Sequence, residues 1–117
     1  GFFVRGSLIR SSIVTCHVTR YTRIMIKSFA DKETENLFCD GRSRRIPSEL
    51  IPRALRKLDM LDAAYRLEDL RVPPGNKLHA LRGDRAGFHA IAINGQWRIC
   101  FRFEGEDAFD VEICDYH

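Results

Sequence analysis

An α+β fold is predicted for this 117-residue chain from three observations. Apolar residues recur at three- and four-residue spacing between Pro47 and Ala64; strand-like runs follow Asn76 with no helical run between them; and Asn94-Gly95 joins the middle pair of those runs. Helices gathered ahead of consecutive strands imply an N-terminal strand and two to three helices packed on a mainly antiparallel sheet of four to five strands, not alternating βαβ units. The length suits one domain with a modest core.

Met25-Ile26-Lys27-Ser28-Phe29 alternates as a short first strand. Asp31 is a suitable N-cap for a helix reaching about Phe38, and Glu33 and Glu35 favour its positive end. Gly41-Arg42-Ser43-Arg44-Arg45 is a polar link. Leu50, Ile51, Ala54, Leu55, Leu58, Leu61 and Ala64 then form an amphipathic stripe. Pro52 lacks a backbone donor, so the regular helix is expected to start near it. A second short helical turn is expected over Tyr65 to Leu70, and Val72-Pro73-Pro74-Gly75-Asn76 is expected to break regular structure.

Lys77 to Leu81, Phe88 to Ile93, Trp97 to Phe103 and Ala108 to Asp115 are the expected meander strands. Asn94-Gly95 suits a two-residue type I′ turn, because both residues tolerate positive φ. Along the third strand Trp97, Ile99, Phe101 and Phe103 share one face, and Arg98, Cys100 and Arg102 the other. The apolar face is expected to pack on the helices and the arginine face to look outward. Gly83-Asp84-Arg85-Ala86-Gly87 matches no phosphate-loop motif and reads as a turn, with Asp84 and Arg85 a candidate ion pair.

Residues 1 to 24 have a different texture: rich in Ser, Thr and Arg, free of acids, and without helical or strand periodicity. Arg5 and Arg10 interrupt the only stretch that could serve as a secretory signal. The composition is formally that of an organelle transit peptide, but the reading adopted is a non-native or upstream extension, with Met25 the natural start and residues 25 to 117 the working domain.

The net charge of +3 belongs to that leader. Removing its four arginines leaves 15 basic against 16 acidic side chains, a net of −1, so nucleic-acid affinity must come from local clusters. Cys16, Cys39, Cys100 and Cys114 lack C-x-x-C spacing and have no histidine pair at ligand spacing beside them, so neither a metal nor another cofactor is expected. Free thiols in apolar strands suit a reduced, cytoplasmic setting, and no apolar run reaches membrane-helix length.

The terminal sheet carries imidazole, guanidinium, phenol and carboxylate groups. Metal-free RNA cleavage needs a base for the 2′-hydroxyl, cations for the phosphate and an acid for the leaving oxygen. Histidine suits the proton steps and arginine the phosphate, while tyrosine can stack on a base or assist proton transfer. The candidate catalytic residues are His79, Arg82, Arg98, Asp115, Tyr116 and His117; Lys77, Arg85 and Arg102 are candidate RNA-binding cations. His79 and Arg82 stand three residues apart and fall on opposite strand faces unless a bend intervenes at Gly83. Each residue alone also fits a structural role: His79 or His89 as a partly buried sheet histidine, Arg98 or Arg102 as a solvated or ion-paired strand residue.

Met25-Ile26-Lys27-Ser28-Phe29, Arg53-Ala54-Leu55-Arg56-Lys57-Leu58, Leu70-Arg71-Val72-Pro73-Pro74-Gly75-Asn76, Leu81-Arg82-Gly83-Asp84-Arg85-Ala86-Gly87, Asn94-Gly95-Gln96-Trp97-Arg98-Ile99-Cys100-Phe101 and terminal Asp115-Tyr116-His117 together resemble the HigB toxins of the RelE/ParE superfamily. The resemblance covers essentially all of residues 25 to 117. It implies a RelE-like fold and a type II toxin that cuts mRNA in the ribosomal A site, the 2′-hydroxyl attacking the adjacent phosphate without metal to leave a cyclic phosphate and a free 5′-hydroxyl. It further implies that His79 matches a family histidine, Arg82 replaces a family lysine as phosphate stabiliser, Arg98 is the phosphate-binding arginine, and Asp115, Tyr116 and His117 match the terminal acid, aromatic and histidine. The implied partner is a HigA-like helix-turn-helix antitoxin, with operator DNA contacted only through it. The alternatives are a ParE-like gyrase poison without nuclease activity, and a decayed toxin that only binds its antitoxin or DNA.

Overall fold

The computed structural model describes residues 26–115. The expected leader, Met25, Tyr116 and His117 lie outside the described residues. The elements run α1 (Lys32–Asp40), α2 (Ile51–Ala63), β1 (His79–Ala80), β2 (His89–Ala92), β3 (Trp97–Glu104) and β4 (Asp107–Asp115), with short 3₁₀ turns between them. The strands form one antiparallel sheet in the order β1-β2-β3-β4. This is the expected α+β arrangement. The predicted first strand is reduced to two parallel bridges, Ile26 to Ala108 and Phe29 to Val111, along the outer edge of β4.

Asp31 caps α1 by accepting from the Thr34 N–H at 2.8 Å. The helix runs two residues past Phe38 and closes on Gly41, whose left-handed backbone (φ 72°) lets its N–H reach the Leu37 carbonyl at 2.9 Å. Two polar links then fasten α1 to β4. The Ile113 N–H donates to Thr34 Oγ1 at 3.1 Å, and Arg45 Nη1 donates to Asp31 Oδ2 at 2.7 Å and to the Ile113 carbonyl at 3.0 Å.

Helix α2 starts at Ile51 after a 3₁₀ turn over Ser48–Leu50, so Pro52 sits in the first turn, where its missing donor costs nothing. Ala54, Leu58 and Leu61 are fully buried. They meet Ile91, Ile99, Phe101, Val111 and Ile113 from the sheet, which is the core. Asp62 is also buried, and its Oδ1 accepts from the Ile26 N–H at 3.1 Å, tying the edge segment to α2.

The expected helical turn after α2 is a 3₁₀ turn over Leu67–Arg71. The proline stretch is more regular than expected: Pro74–Asn76 forms another 3₁₀ turn, because buried Asn76 satisfies its side chain internally. Its Nδ2 donates to the Leu70 carbonyl at 3.0 Å and its Oδ1 accepts from Lys57 Nζ at 2.5 Å. No helix among the described residues is long and apolar enough to cross a membrane.

One expectation about the sheet is corrected and one irregularity is added. The Asn94-Gly95 connection is not a type I′ turn, since neither residue has positive φ. Asn94 Oδ1 instead accepts from the Gln96 N–H (2.9 Å) and the Trp97 N–H (2.7 Å), and the ladder closes through the Ile93 N–H to the Trp97 carbonyl at 2.8 Å. Asparagine supports either solution, and here its side chain replaces the backbone as turn acceptor. The irregularity lies toward the far end of the β3–β4 pair, where the register slips between Cys100 and Arg102 and Asp110 of β4 takes φ 55°. The extra residue belongs to β4, so β3 keeps its expected alternation, with Phe103 against the core and Arg102 on the outer face, while the partners offered to Arg102 change.

Candidate active site

Residues directly opposite in antiparallel strands share a sheet face. The pairs His79–Ala90, Ala90–Cys100, Cys100–Glu112, Ala92–Arg98 and Arg98–Cys114 therefore assemble one surface from four strands, on the side away from the helices. Its centre is made of small residues: Ala90, Ala92 and Cys100 are buried yet lie outside the hydrophobic cluster. Large side chains there would fill the face. With small ones, it opens into a cleft of about 360 Å³ lined by Leu81, Arg82, Arg85, Ala90, Cys100 and Cys114.

The bend needed to bring Arg82 onto this face is present. Strand β1 ends at Ala80, the Leu81 N–H extends the ladder to the Phe88 carbonyl at 2.9 Å, and Gly83 (φ 67°) opens a 3₁₀ turn over Gly83–Arg85. A residue with a side chain would be strained at that φ. The turn lines the cleft wall with both Arg82 and Arg85. Arg85 does not pair with Asp84, as expected from adjacency; its Nη2 donates to Glu112 Oε1 at 2.7 Å, because the turn aims it across the sheet. That hydrogen bond holds the Arg85 pKa above its ordinary value.

Arg98 enters the same face from β3. Its Nη1 donates to the Asn94 carbonyl at 2.5 Å and lies 3.4 Å from the Trp97 carbonyl, so the turn carbonyls orient the guanidinium. His79 shares the face through its pairing with Ala90. Its Nδ1 lies 2.8 Å from the Lys77 carbonyl, and since a carbonyl oxygen only accepts, Nδ1 carries a hydrogen and Nε2 is left out of that contact.

Three sequence candidates are not brought into the cleft. Asp115 pairs with Trp97, which gives it the helix-side parity, and its Oδ1 accepts from Gln96 Nε2 at 3.1 Å. Arg102 lies beyond the bulge, over the Phe109 ring at 4.8 Å, ion-paired to Glu104 and Asp110. Lys77 is exposed in a left-handed turn (φ 51°) and contributes its carbonyl to His79. Tyr116 and His117 lie outside the described residues.

Glu112, Cys100 and Cys114 join the site without having been predicted for it. Cys100 and Cys114 were read only as small strand hydrophobes, yet both line the cleft, with Cys114 Sγ 3.9 Å from the Glu112 carbonyl. A hydrogen bond from Cys114 pulls the Cys100 thiol below its ordinary pKa, Arg85 and Arg98 acting in the same direction against burial. The same contact, with burial and Glu112, pushes the Cys114 thiol far up. Small residues at alternate positions, Ala90 and Ala92 with Cys100 opposite Ala90, were the available signal.

The sequence model of the RelE-like toxin of type II toxin-antitoxin system HigB matches residues 27–117. Among curated proteins, the chain is 37% identical over 93 residues to an endoribonuclease HigB of Proteus vulgaris, covering 80% of this chain and 100% of that one. It is 41% identical over 80 residues to toxin HigB-1 of Vibrio cholerae, covering 68% and 84% of the two chains. An uncharacterized protein of Haemophilus influenzae is 36% identical over 63 residues, 54% of this chain and 62% of that one. The matched region takes in both helices, the sheet and the arginine-lined cleft, and this chain belongs to the HigB-like family of RelE-like toxins from type II toxin-antitoxin systems.

Proposed function

We propose that the chain is a ribosome-dependent mRNA endonuclease whose cleft on the open sheet face receives the scissile phosphate. The observation that carries the reading is that Arg82 and Arg85 line one concave, small-floored cleft while Arg98 shares its sheet face from β3, in a family with a relative named as an endoribonuclease. Arginine forks donate paired hydrogen bonds to phosphate oxygens and remain charged as the pentavalent phosphorus accumulates negative charge. The 2′-oxygen forms its bond to phosphorus while the bond to the 5′-oxygen breaks, leaving a cyclic phosphate. His79 Nε2, with its lone pair free of the Lys77 contact, is the group on this face suited to take the 2′-hydroxyl proton. Tyr116 and His117, which follow Asp115 at the end of β4, supply base stacking and the proton for the leaving 5′-oxygen.

Charge supports ribosome dependence. Residues 25 to 117 carry a net −1, which gives weak general affinity for RNA, and a ribosome-bound message supplies the positioning that the free protein does not. The protein therefore acts in the cytoplasm on A-site mRNA. Its partner is a HigA-like helix-turn-helix antitoxin, through which alone it reaches operator DNA.

The test is to map mRNA 5′ ends during induced arrest and to compare purified protein on naked and ribosome-bound message. Codon-phased cuts on translated message only are expected. Equal cutting of naked RNA would remove the ribosome from the reading; intact transcripts with gyrase-linked DNA breaks would replace it with the ParE-like alternative.

A further inference from the structure

One row of residues crosses the whole sheet at the level of the cleft floor: His79, Ala90, Cys100 and Glu112, each opposite the next. Between the imidazole at one end and the carboxylate at the other stand Ala90 and Cys100, the small residues that line the cleft. Adjacent strands lie about 4.8 Å apart, so a phosphate resting over Cys100 comes within one strand spacing of Glu112. That carboxylate has no part in the chemistry proposed above. A negative group beside a polyanion opposes its binding.

In the empty cleft the carboxylate is held by Arg85. The arginine reaches across the face from the turn after β1, and its Nη2 donates to Glu112 Oε1 at 2.7 Å. Glu112 is not its only support. The guanidinium carbon lies 5.4 Å from the Phe88 ring centroid, and the turn that launches the side chain is closed by the Ala86 N–H to the Gly83 carbonyl at 3.0 Å. Arg98 is oriented by the Asn94 carbonyl, a neutral acceptor. Arg85 instead meets an acid, in the kind of charge-assisted contact that a phosphate oxygen would make with the same fork.

We propose that Glu112 is a selectivity residue for RNA: its carboxylate stands in for phosphate on Arg85 and must be displaced before a phosphate can take that guanidinium. This rests on the cleft being the RNA site. Glu112 acts through Arg85, which binds the carboxylate when the cleft is empty and the phosphate when it is filled. A repulsive element of this kind weakens every RNA that reaches the cleft. A message held in place by the ribosome fills the cleft in spite of it, through its high effective concentration, while a free strand does not. The two side chains are 39% and 29% exposed, and a partly solvated pair of this kind sets the competition at about two- to fivefold.

The test measures binding of the full chain to a fluorescein-labelled 2′-O-methyl oligoribonucleotide, which offers phosphates but no 2′-hydroxyl to attack, by anisotropy between about 50 and 200 mM salt. Glu112→Gln keeps an acceptor oxygen and removes the charge. It is expected to bind about two- to fivefold more tightly than the wild type, and the fall of log affinity with log salt is expected to steepen by about 0.7, the share of one further phosphate contact on a single strand. Glu112→Ala, with no acceptor, is expected to gain at least as much, and thermal melts show which variants are folded. Combining Arg85→Ala with Glu112→Gln is expected to abolish the gain. Unchanged or weaker binding by the folded Glu112 variants overturns the proposal and leaves the carboxylate a support for Arg85; a gain that survives the loss of Arg85 overturns it too. Arg82→Ala in the otherwise wild-type chain separates the two claims. If it leaves binding unchanged, the cleft is not the RNA site and both fall; if it weakens binding while the Glu112 variants gain nothing, the selectivity role falls alone.

Discussion

Arg85 and Glu112 join the turn after β1 to the middle of β4, with Nη2 2.7 Å from Oε1 across the width of the cleft. The Arg85 guanidinium also lies 5.4 Å from the Phe88 ring centroid, so aromatic and carboxylate together fix its direction. Glu112 thus holds a cation at the wall of a surface that already contains Arg82 and Arg98.

The pair should matter to chemistry more than to stability. With side chains 39% and 29% exposed, it belongs with partly solvated ion pairs worth about 0–1 kcal/mol. Arg85→Ala is expected to lower Tm by no more than about 4–8 °C while reducing mRNA cleavage at least tenfold. Calorimetry beside a single-turnover cleavage assay separates the two; a large stability loss would make Arg85 structural.

Asn94 serves both the turn and the site. Its side chain accepts two backbone N–H groups and its carbonyl accepts from Arg98. Asn94→Ala is expected to cost about 1 kcal/mol through the unpaired donors and to cut cleavage by releasing the Arg98 turn, whereas Asn94→Asp, which keeps the acceptor, should retain both. Equal damage from the two variants would show that the side-chain acceptor is not what holds the turn.

Stability should also depend on pH through His89, whose ring stacks on Phe101 at 6.4 Å. Burial lowers its pKa from 6.5, with His79 and Arg71 adding to the effect. A base with a lowered folded pKa binds more protons unfolded, so the stabilisation is complete above about pH 6.5 and is lost as pH falls from there toward the folded pKa. Thermal melts at pH 7.5 and 5.5 should show a larger drop in the wild type than in His89→Gln. Identical drops would remove His89 as the source.

Much of this fold was legible because its signals are local. The Leu58 and Leu61 stripe, the Asp31 cap and the alternation from Trp97 to Phe101 depend only on neighbours in sequence, and each appears as read. The site was harder because its facts are nonlocal. Alternation placed Arg102 on the same face as Arg98, but nothing near it reveals that a bulge at Asp110 brings that carboxylate and Glu104 to engage it. Whether Arg82 faces the cleft depends on the φ of Gly83, and the partnership of Arg85 with Glu112 depends on the register of strands 27 residues apart. The thiol pair likewise needs the β3–β4 alignment before Cys100 and Cys114 become neighbours.

The convergence of cleft arginines on RNA is tested most directly by comparing ribosome-dependent cleavage rates of Arg98→Ala and Arg102→Ala, each shown folded by its thermal melt. Arg98 shares the cleft's sheet face, its guanidinium oriented by the turn carbonyls, and Arg102 is engaged by Glu104 and Asp110 beyond the bulge. Loss of one transition-state donor is worth about 10²–10³ in rate, so Arg98→Ala is expected to fall by that factor and Arg102→Ala by no more than a few-fold. Near-wild-type cleavage by Arg98→Ala, or an equal loss in both variants, would contradict the assignment of this cleft as the catalytic site.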